Sequence, residues 1–158
     1  MSKKGERFIT EYQYSSIVHF KQFKWIIKNV DECSLYSISS GEFTMGSLCY
    51  YDSFSHRDHT VPLTWTIELS LVRSQPLKIY LVLQDFAALA SRTITIKCAF
   101  KIDHENITIN SILEGTFYKA HLKKLVEGVT IIPEDLKNSN LIIAVSLLQN
   151  GYGDYSFY

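Results

Sequence analysis

Apolar and polar residues alternate along much of this sequence, and this period of two is the feature that most constrains the fold. In the segment 64–71, one side of an extended chain carries Trp65, Ile67, Leu69 and Leu71, and the other carries Thr64, Thr66, Glu68 and Ser70. The segment 92–102 repeats the pattern. Successive side chains of a β-strand point to opposite faces, so both segments predict strands with one buried face.

Other segments have the composition of strands and are separated by residues that favour turns. Further strands are predicted at 23–30, 36–45, 77–84, 107–113 and 141–149. Turns are predicted between them, at 40–41, 74–76, 103–106 and 137–140. This succession of short strands is typical of antiparallel sheets.

One segment, 119–127, has the spacing of a helix. Leu122, Leu125 and Val126 share one stripe, and Gly128 stands where a helix C-terminal cap belongs. Together these elements predict an all-β fold, an antiparallel β-sandwich of about seven or eight strands with one short helix near 119–127. The chain of 158 residues is long enough for one domain. We place the sandwich at 16–150, an N-terminal extension at 1–15 and an aromatic C-terminal tail at 151–158.

Charge and hydropathy exclude several classes of function. Sixteen Lys plus Arg balance sixteen Asp plus Glu, and the basic residues are scattered along the chain. Nucleic-acid-binding proteins concentrate positive charge against phosphates, so no nucleic-acid partner is expected. No stretch is apolar enough to span a bilayer, and the charged start at 1–7 is not followed by the apolar run of a signal peptide. We therefore expect an intracellular protein, in the cytoplasm or nucleus, without a membrane partner.

Cysteines and histidines give little support for a metal site or a reaction. Cys33, Cys49 and Cys98 are odd in number and far apart, which is typical of reduced, mostly buried thiols. Cys49, His56 and His59 lie in one polar loop, but a structural zinc site normally takes four ligands at tighter spacing. No nucleophile elbow, phosphate loop or apolar pair of carboxylates is found. No metal, no cofactor and no enzymatic activity are predicted.

Several motifs occur in an order that resembles a known family. They are FKQFKWIIKNV at 20–30, ISSGEF at 38–43, LTWTIEL at 63–69, LKIYLVL at 77–83, IPEDL at 132–136 and LIIAVSL at 141–147. In this order the chain resembles the MATH (meprin and TRAF homology) domain, and the match covers about 16–150. Alternation and this resemblance together predict a core containing Trp25, Phe43, Trp65, Ile67, Leu81, Phe100 and Val145.

The resemblance implies a domain that binds a short extended peptide in a shallow groove on one sheet. Such domains often select substrates for ubiquitin ligases or recruit signalling partners. The residues expected in the groove are Tyr80, Phe117, Tyr118, Glu68, Lys119 and Cys98. Tyr80 lies on the outer phase of its strand, where a tyrosine either anchors a bound peptide or spreads across the sheet beneath a loop.

Two departures from the family concern the specificity of this groove. Glu68 stands where relatives carry a basic residue, so we expect it to favour a basic or neutral group of the partner and to repel an acidic one. The segment 117–122 replaces a longer turn that walls the groove in relatives. The leading hypothesis is an adaptor that binds a peptide of a partner protein. The alternative is a structural subunit that pairs permanently with another folded protein through a sheet edge or the C-terminal tail.

Overall fold

The computed structural model describes residues 9–17, 20–30, 33, 35–84, 93–105, 107–136 and 139–151. Ten strands lie within these ranges: β1 Ile9–Ile17, β2 Phe20–Lys28, β3 Ser37–Ser39, β4 Phe43–Asp52, β5 Arg57–Ser70, β6 Lys78–Leu83, β7 Ile94–His104, β8 Ile107–Phe117, β9 Lys123–Leu125 and β10 Asn140–Gly151. A short 3-10 helix, Pro133–Leu136, precedes β10.

The strands form two antiparallel sheets, as the alternation predicts. The first sheet has the order β1-β2-β10-β7-β8, and the second has the order β3-β5-β6-β9 with β4 also paired to β5. Apolar faces of the two sheets enclose one core, whose largest fully buried side chains include Trp25, Trp65, Phe100 and Phe117. All seven core residues expected from the sequence are buried, so the all-β sandwich prediction is confirmed.

The predicted strand 36–45 is interrupted, because residues 40–42 leave the ladder between β3 and β4. Ser40 replaces the lost strand pairing in two ways. Its backbone N–H donates to the carbonyl of Ile67 at 2.8 Å, and its hydroxyl accepts from the N–H of Ile67 at 2.8 Å. The backbone N–H and C=O of Ile67 are thus both hydrogen-bonded, the N–H through a side chain. On either side of this point, β3 and β4 pair with the same edge of β5.

The N-terminal extension expected at 1–15 contains part of a strand, because β1 pairs with β2 from Ile9 to Ile17. The ring of Tyr12 stacks on Phe23 at 5.7 Å, and Phe23 stacks on Phe43 of the other sheet at 4.1 Å. Gly41 lies under Tyr12, where an added Cβ would be 3.4 Å from the ring. The aromatic stack joins the two sheets, so the expected domain boundary at 16 falls inside β1. Most of the expected tail, 152–158, is outside the described residues.

The prediction of a helix near 119–127 is wrong, because this segment forms a turn and the strand β9. Lys124 pairs with Leu81 of β6, and Leu125 is 47% exposed whereas Val126 is 2% exposed, an alternation typical of a strand. A helix of so few residues is marginal in water. Pairing with the open edge of β6 satisfies backbone groups that a short helix would leave to solvent.

Candidate functional site

The outer surface of the second sheet carries a compact group of side chains, which we call the Tyr80 face. Residues directly opposite each other on antiparallel strands share a face. One row of the register is Glu68, Tyr80 and Leu125, and the next is Thr66, Val82 and Lys123. Tyr80 is half-buried and Leu125 is exposed. The Tyr80 face therefore combines an aromatic ring, aliphatic groups and an ion pair.

Lys123 is the side chain that lies over Tyr80. Its ammonium is 4.1 Å from the centroid of the Tyr80 ring and 2.8 Å from Oε1 of Glu68. The cation interacts with the negative face of the ring and with the carboxylate at once. Glu68 is consequently paired within the chain in the free protein, and its expected preference for a basic or neutral group of a partner stays a prediction.

The exposed edge of β9 carries backbone groups directed away from the sheet. The N–H of Leu83 donates to the carbonyl of Leu122, and the N–H of Val126 donates to the carbonyl of Ile79, each at 2.8 Å. In an antiparallel ladder hydrogen-bonded pairs alternate with non-bonded pairs. Lys123 and Leu125 therefore direct their N–H and C=O groups outward, and among the described residues no strand pairs with this side of β9.

A mostly apolar depression continues the Tyr80 face beyond Leu125. Its volume is about 390 Å³. It is lined by Gln75, Pro76, Leu77, Lys78, Leu125, Val126, Glu127, Gly128 and Val129. Gly128 has a φ of +84°, a conformation that suits glycine, and the chain turns there. Because Leu125 lines both features, a chain lying along β9 would reach the depression with its next side chains.

Phe117 does not lie in the groove that the sequence led us to expect. Its ring is fully buried and makes an edge contact with Trp65 at 4.9 Å, so it belongs to the core. The expected strand ended at 113, but β8 runs to Phe117, which has the same inward phase as Leu113. The ammonium of Lys124 is 6.0 Å from the Phe117 ring, at the margin of the sandwich.

Cys98 is also buried, so its expected place in the groove is wrong. It points inward from β7, between Ile96 and Phe100 on the same face. Burial raises the pKa of the Cys98 thiol from 9.0 to about 12, because a thiolate would lose its hydration. Cys98 and the half-buried Cys33 are free thiols.

Tyr118 and Lys119 lie in the turn that leads to β9. The backbone of Tyr118 exchanges hydrogen bonds with His121 at 3.1 and 2.7 Å, and their rings meet edge to face at 4.7 Å. Tyr118 is 38% exposed and Lys119 is exposed. Of the six expected groove residues, the structure pairs Tyr80 with Glu68 directly and puts Tyr118 and Lys119 at the start of the adjoining edge.

Lys123 and Leu125 were missed as surface residues of this site by reasoning from the sequence. The segment Leu122-Lys-Lys-Leu125 fits a helix as well as a strand, and the helical interpretation separates these residues from Tyr80. No local signal in the sequence separates the two interpretations, because only pairing with the open edge of β6 makes this segment a strand.

Other clusters of polar residues give less support for a site. Among the described residues no group of His, Cys, Asp and Glu could hold a metal ion. The side chain of Cys49, the first member of the Cys49-His56-His59 array, lies outside the description. A second depression, of about 380 Å³, is lined by Asp103, Glu105, Ser139, Asn140 and Ile142. Beside it, buried His104 contacts the hydroxyl of Ser139 at 2.5 Å.

In the described part of the chain, no helix has the length and apolar character to cross a membrane.

Comparison with known proteins adds no assignment. No protein-family model matches the chain, and no curated protein matches it significantly.

Proposed function

We propose that the protein is an adaptor that binds an extended peptide of a partner protein along β9 and across the Tyr80 face. The observation that carries this proposal is the open edge of β9 beside a half-buried tyrosine. A peptide added to a sheet edge gains main-chain hydrogen bonds, and its alternate side chains fall on one face of the sheet. The resemblance of 20–30 and 63–83 to MATH domains supports the same function.

Three features contribute to recognition of the peptide. The outward N–H and C=O groups of Lys123 and Leu125 bond to the peptide backbone. The Tyr80 ring, together with Val82, receives one side chain of the peptide, because aromatic anchors supply large contact areas at little entropic cost. The depression next to Leu125 receives an apolar side chain further along the peptide.

The charges around β9 lead us to propose an acidic side chain in the peptide, in place of the basic or neutral group expected from Glu68 alone. Lys119, Lys123 and Lys124 follow one another along this edge, and Lys123 is paired with the carboxylate of Glu68 on the Tyr80 face. A peptide carboxylate can take the place of Glu68 beside Lys123. Glu68→Gln removes that competition, so an acidic peptide should bind more tightly to this variant than to the parent.

The test is selection of peptides from a random library displayed on phage, followed by calorimetric titration of the selected peptides. Removing a hot-spot aromatic costs about 2 kcal/mol, so Tyr80→Ala should weaken binding about thirtyfold. Its melting temperature should stay close to that of the parent. Val72→Ala is the control, because Val72 is 39% exposed in the loop after β5 and does not belong to the Tyr80 face.

Two results would contradict the proposal. Peptides that bind the parent and Tyr80→Ala equally well would move the contact surface elsewhere. Failure to select any peptide would favour the alternative, a structural subunit that pairs with a folded protein.

A further inference from the structure

β8 is a long and regular strand at the edge of the first sheet. It pairs with β7 over eleven consecutive residues, from Ile107 to Phe117, without a register shift. Its sequence, ITINSILEGTF, contains no proline and only one charged residue, Glu114. No strand in the described ranges pairs with its other side. An exposed edge of this kind is a template for pairing with another chain.

The remaining edges carry features that discourage pairing with a second copy over so long a stretch, although a three-residue edge such as β9 can still bind a short peptide. β4 has a register shift between Thr44 and Ser47, with Gly46 at a φ of +72°. β3 and β9 have three residues each, and β9 includes two lysines. On β1, Glu11 is paired with Lys28 at 2.7 Å. Natural proteins protect edges by bulges, short strands and charges, and β8 lacks these devices.

We propose that β8 is a self-association edge, through which two copies of the chain join their first sheets by antiparallel β8 pairing about a two-fold axis at Ile112. Ile112 is 57% exposed on the outer face, opposite Ala99 of β7. In the dimer Ile112 lies against Ile112 of the second copy, and Ala99 extends this apolar strip on either side. A two-fold interface requires such self-complementarity.

The residues on either side of Ile112 are also complementary under this symmetry. Counting outward from the axis, Asn110 faces Glu114 of the second copy, and Thr108 faces Thr116. Amide–carboxylate and Thr–Thr pairs are favourable across strands, and no like charges stand directly opposite each other. Lys97 pairs with Glu114 in its own chain, and Lys101 pairs with Asn110. Each Glu114 therefore lies in a row between lysines from both copies.

Disulfide trapping tests the register. Cross-strand neighbours have Cβ atoms about 5 Å apart, close enough for a disulfide after small adjustment. Under mild oxidation Ile112→Cys should form a covalent dimer rapidly. Peptide mapping by mass spectrometry should show that the two introduced cysteines are joined to each other. Ile107→Cys is the matched control, because Ile107 is on the same strand and 47% exposed. In the proposed dimer, the equivalent residue of the second copy would lie about 30 Å from it. The native cysteines are the same in both variants.

Light scattering tests the association without a new thiol. The parent should approach twice its chain mass of 18.2 kDa as concentration rises. Ile112→Lys should be monomeric with an unchanged melting temperature, whereas Val72→Lys should remain dimeric. A parent that stays at the mass of one chain, an Ile112→Lys variant that still dimerises, or equal cross-linking of Ile112→Cys and Ile107→Cys would overturn the proposal. The cross-linking comparison decides the question if Ile112→Lys does not fold. None of these measurements depends on peptide binding.

Discussion

The ammonium of Lys123 lies 4.1 Å from the centroid of the Tyr80 ring. The two residues come from adjacent strands that are distant in sequence, and Glu68 from a third strand holds the same ammonium at 2.8 Å. This arrangement fixes the side chain that covers the proposed aromatic anchor. A bound peptide must share Lys123 or displace it.

The contribution of this cluster to stability should be small. The side chains of Lys123 and Glu68 are 44% and 29% exposed, and exposed ion pairs contribute about 0.2–1 kcal/mol. A double-mutant cycle with Lys123→Met and Glu68→Gln, measured by urea unfolding, should give a coupling energy in this range. A much larger coupling would make the pair a structural element of the sandwich.

Phe117→Ala should destabilise the protein strongly, because the ring is fully buried against Trp65. Truncation of a buried phenylalanine costs about 3–5 kcal/mol. Tyr118→Ala is the neighbouring control, and it should change the free energy of unfolding much less because Tyr118 is 38% exposed. Urea unfolding of both variants checks the difference. Similar losses for the two would mean that Phe117 does not fill the core.

The two buried tryptophans should respond differently to replacement by phenylalanine. The indole N–H of Trp65 donates to the carbonyl of Met45 at 2.7 Å, whereas that of Trp25 has no hydrogen-bond partner among the described residues. Both rings are fully buried. Trp65→Phe removes a hydrogen bond to a carbonyl of buried Met45, which costs about 1 kcal/mol beyond the lost volume. Trp25→Phe should therefore be the milder change in denaturant unfolding, and equal losses would contradict the role given to this hydrogen bond.

Stability should fall with pH above the ordinary pKa of a thiol, because of Cys98. Its pKa is raised to about 12 in the folded protein, so between 9.0 and about 12 the folded state keeps a proton that the unfolded state has lost. The unfolded state binds fewer protons, and the free energy of unfolding then decreases by about 1.4 kcal/mol per pH unit. Well below pH 9.0 both states keep the proton, so this group adds no pH dependence there.

The comparison with Cys98→Ala isolates this effect, since other groups also titrate in that range. From about pH 8 to about pH 10 the parent should lose about 1.4 kcal/mol more than the variant in urea unfolding. Parallel losses in the two proteins would show that Cys98 does not hold its proton in the folded state.

Alternation was sufficient for the sandwich and for part of its core, because one buried face of a strand dictates every second residue. Trp65, Ile67 and Leu81 follow directly from that rule. The same rule, extended along β8 from Leu113, places Phe117 inside, and the inward phase of β7 places Cys98 inside. Both residues were assigned to the groove because of the family resemblance, although the alternation of their strands placed them on the buried face.

Features that depend on contacts between distant segments could not be read from the sequence. The pattern at 119–127 fits a short helix locally, and only the open edge of β6 makes it a strand. Ser40 is a residue type that favours turns, but its hydroxyl accepts a hydrogen bond from the N–H of Ile67 and so completes the ladder. The ion pair over Tyr80 requires three strands to be in register, so the pairing of Glu68 with Lys123 could not be predicted from the sequence.

The most direct test of the proposed function is amide hydrogen exchange at β9, measured by NMR with and without a selected peptide. In the free protein the N–H groups of Lys123 and Leu125 point away from β6 and should exchange rapidly, while that of Lys124 is bonded within the ladder and should exchange slowly. A peptide bound along this edge should slow exchange at Lys123 and Leu125 and leave Lys124 nearly unchanged. Saturating peptide that leaves exchange at Lys123 and Leu125 as fast as in the free protein would contradict binding along β9.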